Sequence, residues 1–456
     1  CPHPAKRRKI RRQHPLPTDL ILKRHFQPER QPMKANHRKA TLVIVILLNL
    51  LLLGVCGWTL MTLLSPSDAP SEPDSSQSEP ASSSEEPSFP SVKPESSTPE
   101  NSSPTLSLPE GLSLSDRFGN CYEAALNKLE TLTIEEKLGQ LLLCGVPNSG
   151  GDAFIDQYQP GGFVLFAKDF ENRTADQIRS TLQGYQDKSR IPMVFSVDEE
   201  GGEIVRVSKF SSLRETSFPA PKDVYASGGL PALEADAAEK SRFLLDFGIQ
   251  LNLAPVCDIA PDRSTYIYAR TFGVSAKETA DCVRTVVTAM ESAGISSCLK
   301  HFPGYGGNAD THTGVSVDDR SMETFWETDF LPFQAGIDAG AETVLVSHNT
   351  VTAMDPNAPA SLSPEVHRIL REELHFTGII LTDALEMEAI VKFAGNEHPA
   401  VVALRAGNDL ILQRDGADAF NALKEALDAG AISEEAVDLA VTRILAWKLS
   451  KGILTE

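Results

Sequence analysis

The sequence has 456 residues and a formal net charge of −20 at pH 7, and 41% of the residues are hydrophobic. This length excludes a chain organised by one hydrophobic core alone and predicts at least one segment outside the main domain. Residues 1–40 carry twelve Lys and Arg against two acids, whereas the remaining chain has a balance of −30. The basic arm is compatible with a nucleic-acid patch. Its position before an apolar segment favours a cytoplasmic topology signal, so no nucleic-acid partner is predicted.

An uncharged apolar segment follows the basic arm. It runs from Leu42 to Leu64, long enough to cross a hydrocarbon core of ~30 Å at ~1.5 Å per helical residue. Its basic flank lies before it and its acidic flank after it, which places the N-terminus in the cytoplasm. We predict a cytoplasmic arm at 1–40 and an uncleaved transmembrane signal anchor at 41–64, with a cleaved signal peptide as the alternative. Met33 is a plausible start, so the place of residues 1–32 in the mature protein stays open.

A Ser-, Pro- and Glu-rich stretch covers residues 65–111. Up to residue 110 it holds nine acids against Lys93 alone. Such a composition buries too little apolar surface to fold, and charge repulsion keeps it extended. We predict a disordered linker that acts as a stalk. The expected location is therefore the cell membrane, in a single pass, with the domain at 112–456 on the extracellular side.

From residue 112 onward short apolar runs alternate with helical patterns. A capping box at 133–136 and Ser363 before Pro364 mark helix starts, and an apolar face between Val437 and Leu445 marks a final amphipathic helix. Eight buried strands alternating with helices predict an α/β fold, a (β/α)8 TIM-type barrel, with a doubly wound open sheet as the alternative. The predicted strands are Leu141–Val146, Gly162–Phe166, Met193–Val197, Leu251–Val256, Ser296–Leu299, Thr343–Val346, Ile379–Leu381 and Leu410–Leu412.

Polar residues stand at the ends of six of these runs, and this favours the barrel over the open sheet. In a barrel all the carboxyl ends converge on one face, where the active site lies. In an open sheet they would spread along an edge. The residues are Asp198, Asp258, Lys300 with His301, Ser347 with His348, Thr382 with Asp383, and Gln413.

Several of these residues suit acid–base or nucleophilic chemistry. Asp383 directly follows a strand, which suits a nucleophile or electrostatic stabiliser, although an N-cap role is equally common. In Asp310-Thr-His312 the carboxylate is placed to orient the imidazole and raise its basicity. Spacing alone leaves an ordinary surface loop as the alternative. His348 is as compatible with a packed histidine as with a site residue.

The acidic cluster at 198–203 is mixed with cations, which suits a polyhydroxylated substrate better than a metal ion. Arg206 offers a planar fork of donors to substrate oxygens. The seven cysteines show no metal-ligand spacing, and Cys144, Cys257 and Cys298 lie in apolar runs, where buried thiols are expected. We predict no metal and no cofactor.

The region from about residue 120 to the C-terminus resembles family 3 glycoside hydrolases, and within them single-domain β-N-acetylhexosaminidases of the NagZ type. Six motifs occur in the family's order. They are Val197-Asp-Glu-Glu-Gly-Gly202 with Arg206, Leu253-Ala-Pro-Val-Cys-Asp258 with Arg270-Thr-Phe-Gly273, Lys300-His-Phe-Pro-Gly304, Asp310-Thr-His312, Pro359-Ala-Ser-Leu-Ser363 and Thr382-Asp-Ala-Leu-Glu-Met387.

The resemblance implies a retaining exo-β-N-acetylglucosaminidase that removes terminal β-linked N-acetylglucosamine. Peptidoglycan fragments are the expected substrate, and a monomer is the expected state. It implies Asp383 as the nucleophile and His312, paired with Asp310, as the acid/base. The residues implied to hold sugar hydroxyls are Asp198, Arg206, Arg270, Lys300 and His301.

Two other activities and one non-enzymatic role stay open beside this reading: a β-glucosidase-like glycosidase, a phosphorylase, and a wall-binding pseudoenzyme. The sequence also departs from the family pattern near the implied acid/base. Tyr305 replaces a common histidine, the segment from Gly306 to Asp310 is shorter by about one residue, and Glu203 stands where a basic residue is common.

Overall fold

The computed structural model describes residues 108–260, 262–307 and 316–455. In these residues apolar runs form strands, and capped amphipathic segments form helices between them. The strands are β1 (Leu142–Gly145), β2 (Gly162–Leu165), β3 (Val194–Val197), β4 (Leu251–Asn252), β5 (Ser296–Phe302), β6 (Val317–Asp318), β7 (Thr343–Val346), β8 (Thr350–Val351), β9 (Ile379–Thr382) and β10 (Ile411–Gln413).

The helices lie between and around these strands. They are α1 (Tyr122–Leu129), α2 (Ile134–Gln140), α3 (Gly151–Tyr158), α4 (Ala175–Lys188), α5 (Pro221–Asp246), α6 (Ala276–Ala293), α7 (Met322–Thr324), α8 (Phe330–Asp338), α9 (Pro364–Arg368), α10 (Glu388–Ala394), α11 (Pro399–Ala406), α12 (Gly416–Asp428) and α13 (Glu434–Ser450). Single turns of 3₁₀ or π geometry flank several of them.

Eight of the described strands form a parallel sheet in the order β10-β1-β2-β3-β4-β5-β7-β9. A parallel bridge between Leu381 of β9 and Leu410 beside β10 brings the two outer strands together. The strands are buried along their length, as expected for a parallel sheet covered by helices. The predicted TIM-type barrel is confirmed, so the carboxyl ends of its strands share one face.

Two barrel strands differ from their predicted bounds by more than one residue at an end. The observed β4 has two residues, and Pro255 has no N–H to donate to a neighbouring strand. Beyond Asn252, single backbone hydrogen bonds such as Cys298 N to Ala254 O at 2.8 Å and an isolated bridge between Val256 and Lys300 continue the contact with β5. In contrast, β5 runs on through Phe302. Lys300 is therefore part of β5 itself and does not lie after the strand.

Local signals read from the sequence agree with the structure. Thr133 Oγ1 accepts from Glu136 N at 3.2 Å, and Thr133 N donates to Glu136 Oε2 at 2.9 Å, which completes the predicted capping box. Ser363 Oγ accepts from Val366 N at 3.3 Å as the N-cap of α9. The three cysteines predicted to be buried are buried: Cys144, Cys257 and Cys298.

The final helix α13 was predicted to be amphipathic, with one buried face. It is buried more completely than that, because it lies against the amino-terminal ends of barrel strands. Trp447 Nε1 donates to Ser296 Oγ at the start of β5. Lys448 Nζ donates to Gln140 Oε1 at 2.6 Å, before β1, and to Pro192 O at 2.7 Å, before β3. Side chains of one helix therefore contact the amino-terminal side of β1, β3 and β5.

We expect Lys448 to make the free energy of unfolding depend on pH. Burial lowers its pKa from 10.5 to about 7. Between these values the unfolded chain binds a proton that the native chain lacks, so stability rises with pH. The stability difference between the wild type and Lys448→Met should shift in favour of the wild type by about 2 kcal/mol between pH 7 and pH 9. Urea unfolding at both pH values measures it. Lys392→Met, which removes an exposed lysine of α10, is the control. A pH-independent difference for Lys448→Met would contradict the prediction.

The predicted location in the cell membrane is wrong, because the described residues contain no membrane-spanning helix. Across 108–260, 262–307 and 316–455, no helix is long and apolar enough to cross a bilayer. The predicted anchor at Leu42–Leu64, the arm at 1–40 and the linker up to residue 107 lie outside the described residues, so the anchor and stalk find no support there. The boundaries proposed for these segments stay predictions.

Candidate active site

The polar strand ends predicted from the sequence lie at the carboxyl face of the barrel. Asp198 follows β3, Asp258 lies beyond β4, and Lys300 and His301 are in the last residues of β5. Asp383 directly follows β9. The hydrogen bonds among the first four show that these residues meet in one cluster.

Lys300 lies at the centre of this cluster. Its Nζ is 2.8 Å from Asp198 Oδ1 and 2.6 Å from Glu200 Oε1. Burial lowers the pKa of Lys300, but the two carboxylates outweigh it and raise the pKa above its ordinary value, so the ammonium group stays charged. Burial raises the pKa of Glu200, and the positive charges of Lys300 and Arg270 outweigh it and hold that pKa well below its ordinary range.

Arg270 extends the cluster towards β5. It forms a two-point pair with Glu200, with Nε 2.9 Å from Oε2 and Nη2 2.7 Å from Oε1. Its Nη2 also lies 3.0 Å from His301 Nε2, and His301 Nδ1 lies 2.7 Å from Asp258 Oδ2. A guanidinium only donates and a carboxylate accepts, so His301 is neutral, with its proton on Nδ1. Asp258 and Arg270 thus fix both the tautomer and the ring orientation.

The side chains of the acidic cluster after β3 point alternately to opposite sides. Asp198 and Glu200 reach Lys300, whereas Glu199 points away and accepts from three backbone N–H groups, those of Arg206, Val207 and Ser208, at 2.8 to 3.1 Å. Gly201 has φ +104°, and a Cβ there would lie 2.2 Å from Pro219 O. The chain can therefore turn back after Glu200 only with glycine at this position.

Arg206 lies at the open side of the cluster. Its Nη2 is 3.7 Å from Asp198 Oδ2, and its buried Nε has no hydrogen-bond partner among the described residues. Gln413 Oε1, at the end of β10, is also buried without a partner in the described part of the chain. Buried polar atoms normally find partners, so each of these atoms keeps a hydrogen-bonding capacity that the described residues do not use.

Asp383 is half-buried and anchored through its backbone. Its N–H donates to Val346 O at 2.9 Å, and its Oδ1 accepts from Ala384 N at 2.8 Å. His348 supports the same turn, because its Nε2 lies 2.9 Å from Ala384 O while its Nδ1 lies 2.7 Å from Ser361 Oγ. His348 is therefore a packed, hydrogen-bonded histidine that helps to hold the backbone after Asp383.

Tyr305, the departure from the family pattern, is buried beside the cluster. Its ring packs on His301 at 5.1 Å and edge-on to Tyr266 at 5.5 Å, and its N–H donates to Asp258 Oδ1 at 2.8 Å. The tyrosine thus fills space next to His301. Asp310 and His312 lie outside the described residues, and their implied roles stay predictions.

Sequence reasoning gave no role to two residues that organise the cluster, Glu200 and Asp258. The period-two alternation after β3 places Glu200 on the same side as Asp198 and was the signal that could have found it. No local signal pairs Asp258 with His301, since 43 positions separate them. Among the described residues, no group of three or more His, Cys, Asp or Glu side chains is arranged to hold a metal ion.

A parallel barrel that gathers charged side chains at its carboxyl face is the arrangement of a TIM-barrel enzyme. Comparison with known proteins identifies its family. The model of the glycosyl hydrolase family 3 N-terminal domain matches residues 133–447, about two thirds of the chain. The chain belongs to glycosyl hydrolase family 3, which confirms the resemblance read from its motifs.

Proteins with sequence or structural similarity to this chain bear related names. Beta-hexosaminidase A of Pseudoalteromonas piscicida is 29% identical over 330 residues, covering 64% of this chain and 54% of that protein. Beta-hexosaminidase of Xanthomonas campestris pv. campestris is 32% identical over 254 residues, covering 55% and 76%. A family 3 beta-N-acetylglucosaminidase from a Paenibacillus species superposes with a TM-score of 0.67 at 30% identity, covering 72% of this chain and 64% of that one. The chain spans about half of the first relative.

Proposed function

We propose that this protein is a retaining exo-β-N-acetylglucosaminidase that hydrolyses terminal β-linked N-acetylglucosamine, with peptidoglycan fragments as its substrate. The observation that carries the proposal is the cluster around Lys300, in which alternating charges present donors and acceptors to a neutral polyol at the barrel mouth. The names of the relatives, hexosaminidases and an N-acetylglucosaminidase, support this sugar.

The chemistry follows a double displacement. The Asp383 carboxylate attacks the anomeric carbon, the glycosidic C–O bond breaks, and the leaving oxygen takes a proton from His312, which Asp310 orients. A water molecule then attacks the glycosyl-enzyme ester, gives a proton to His312 and releases Asp383. An imidazole acid departs from the usual pair of carboxylates. It avoids a second anion beside Asp383.

The binding side chains have a shared task. Asp198 and Lys300 present an acceptor and a donor 2.8 Å apart, the spacing that two neighbouring hydroxyls of a sugar match when they bridge such a pair. Arg206 adds its Nε, a donor without a partner among the described residues. Arg270 and His301 line the site on the β5 side. Since these charges are already paired, binding requires little reorganisation of the site.

The proposal is tested with the purified chain on nitrophenyl glycosides. We expect release of nitrophenol from the β-N-acetylglucosaminide between pH 5 and pH 8, and much slower release from the β-glucoside. Addition of inorganic phosphate should leave the product as free sugar, whereas a sugar phosphate would indicate phosphorolysis. Folded protein with no turnover on either glycoside would leave only the wall-binding pseudoenzyme and refute the proposal.

A further inference from the structure

Three ionised side chains that follow residues 308–315 in the sequence lie against the backbone that precedes them. In this triad, Asp318, Arg320 and Asp329, the arginine lies between the two carboxylates. Arg320 Nη2 is 2.7 Å from Asp318 Oδ2, and its Nη1 is 2.7 Å from Asp329 Oδ2. Further contacts at 3.0 to 3.1 Å join Nε to Asp318 and Nη2 to Asp329. All the guanidinium nitrogens are thereby engaged.

The triad is built for rigidity. Both carboxylates are 1% exposed, and the Arg320 guanidinium lies 4.4 Å from the centre of the Phe325 ring. Thr328 Oγ1 also donates to Asp329 Oδ2 at 2.6 Å. Buried, multiply bonded ion pairs of this kind have one defined geometry, because any movement leaves a charge without its partner.

The segment before residue 308 rests directly on this triad. Gly304 has φ +119°, and a Cβ there would lie 2.4 Å from Asp329 Oδ1. Gly306 has φ +54°, and a Cβ there would lie 2.5 Å from Arg320 Cζ. Only glycine allows such close approach. The backbone that leaves β5 is therefore seated against the arginine and its partner.

The segment after residue 315 contains the other half of the triad. Asp318 ends β6, which pairs in parallel with β8, and Asp318 O accepts from Thr352 N at 2.9 Å. Arg320 N donates to Asp318 Oδ1 at 3.0 Å. The Arg320 guanidinium thus pairs with Asp318 in the chain that leaves residues 308–315 and lies close to Gly306 in the chain that enters them.

We propose that Arg320 is a positioning residue for acid catalysis, which fixes both ends of the segment carrying Asp310 and His312 relative to the end of β5. The inference rests on the proposed function of His312 as the acid/base. Arg320 makes its contacts with glycine backbone and buried carboxylates, outside the Lys300 cluster. Its effect is therefore on proton delivery, with sugar binding unaffected.

The experiment compares kcat/KM for two N-acetyl-β-glucosaminides, one with an activated dinitrophenol leaving group and one with an unactivated methoxyphenol. The first needs little acid assistance and the second needs much. For Arg320→Met we expect a loss of about 10- to 100-fold on the methoxyphenyl substrate and less than about threefold on the dinitrophenyl substrate. Arg320→Lys is the second variant, to be used if Arg320→Met does not fold. It keeps a positive charge but cannot span both carboxylates, so the same larger loss on the methoxyphenyl substrate is expected.

Two further variants make the outcome unambiguous. His312→Ala shows how far the two rates diverge when the proton donor itself is removed. Arg368→Met removes an arginine that pairs with three glutamates away from the site, and it should change neither rate. Equal losses on both substrates, or none, in folded Arg320 variants would overturn this inference alone. Inactive wild type, or a His312→Ala variant without selectivity, would instead refute the proposed function.

Discussion

Replacement of Asp383 by asparagine is expected to lower kcat/KM on the nitrophenyl N-acetylglucosaminide by about 10³-fold or more, the range seen when a nucleophile is removed. The amide keeps the size of the side chain, and its oxygen can still accept from Ala384 N. The fold around β9 should therefore be unchanged while the attacking carboxylate is lost. Steady-state kinetics with thermal unfolding of the same sample measures both effects.

The matched control for this variant is Asp176→Asn, the same change on an exposed side chain in the first turn of α4. We expect it to retain wild-type kcat/KM. If Asp383→Asn kept its full rate, Asp383 would not be the nucleophile, and the barrel would need another carboxylate at its mouth. Added azide sharpens the test, because a small external nucleophile can attack the anomeric carbon from the side that Asp383 occupies and restore part of the rate.

Glu200→Gln is expected to lower the free energy of unfolding by about 3–5 kcal/mol, since it breaks a buried ion pair and leaves the other charges in place. Glu200 is buried between Lys300 and Arg270, with contacts of 2.6 and 2.7 Å. Without it Lys300 keeps one carboxylate, and Arg270 has no ion-pair partner in the described part of the chain. Sugar binding should weaken too, because the ammonium and guanidinium groups lose their alignment.

The contribution of Glu200 to the free energy of unfolding should depend on pH, and its lowered pKa gives the direction. Its stabilising contribution is complete above the ordinary glutamate pKa of about 4.3 and declines as the pH falls below it, because the unfolded chain then binds a proton that native Glu200 does not. Urea unfolding should therefore show the gap between wild type and Glu200→Gln narrowing from pH 5 to pH 3. A constant gap would contradict the assignment.

The control for this variant is Glu239→Gln, which removes a carboxylate paired with Arg214 on the surface. An exposed pair contributes below about 1 kcal/mol, so this change should have little effect at either pH. If Glu239→Gln lowered the free energy of unfolding as much as Glu200→Gln, burial would not be the reason for the large effect at Glu200.

The sequence by itself determined the elements and the family. The apolar runs that became β1, β7 and β9 are short-range patterns, visible wherever a strand is buried on both faces. The capping box at Thr133 is equally local. Polar residues at successive strand ends were enough to favour a barrel, because only closure brings them to one face.

Other features depended on contacts between distant parts of the chain. Lys300 reaches Asp198 across 102 positions, and the role of Glu200 follows only once Arg270 is placed beside it. The small sheet of β6 and β8 was missed, since two-residue strands carry no periodicity that a sequence shows.

What the tertiary structure decided is therefore which polar residue acts on which. The sequence placed Lys300, His301 and Asp383 at strand ends, and the family match gave their chemistry a name. The fold showed that His301 is held neutral by Asp258 and Arg270. It also showed that Arg320 lies against Gly306 and pairs with Asp318 and Asp329. Ion pairs and tautomers are properties of distances in space, so no pattern along the chain encodes them directly.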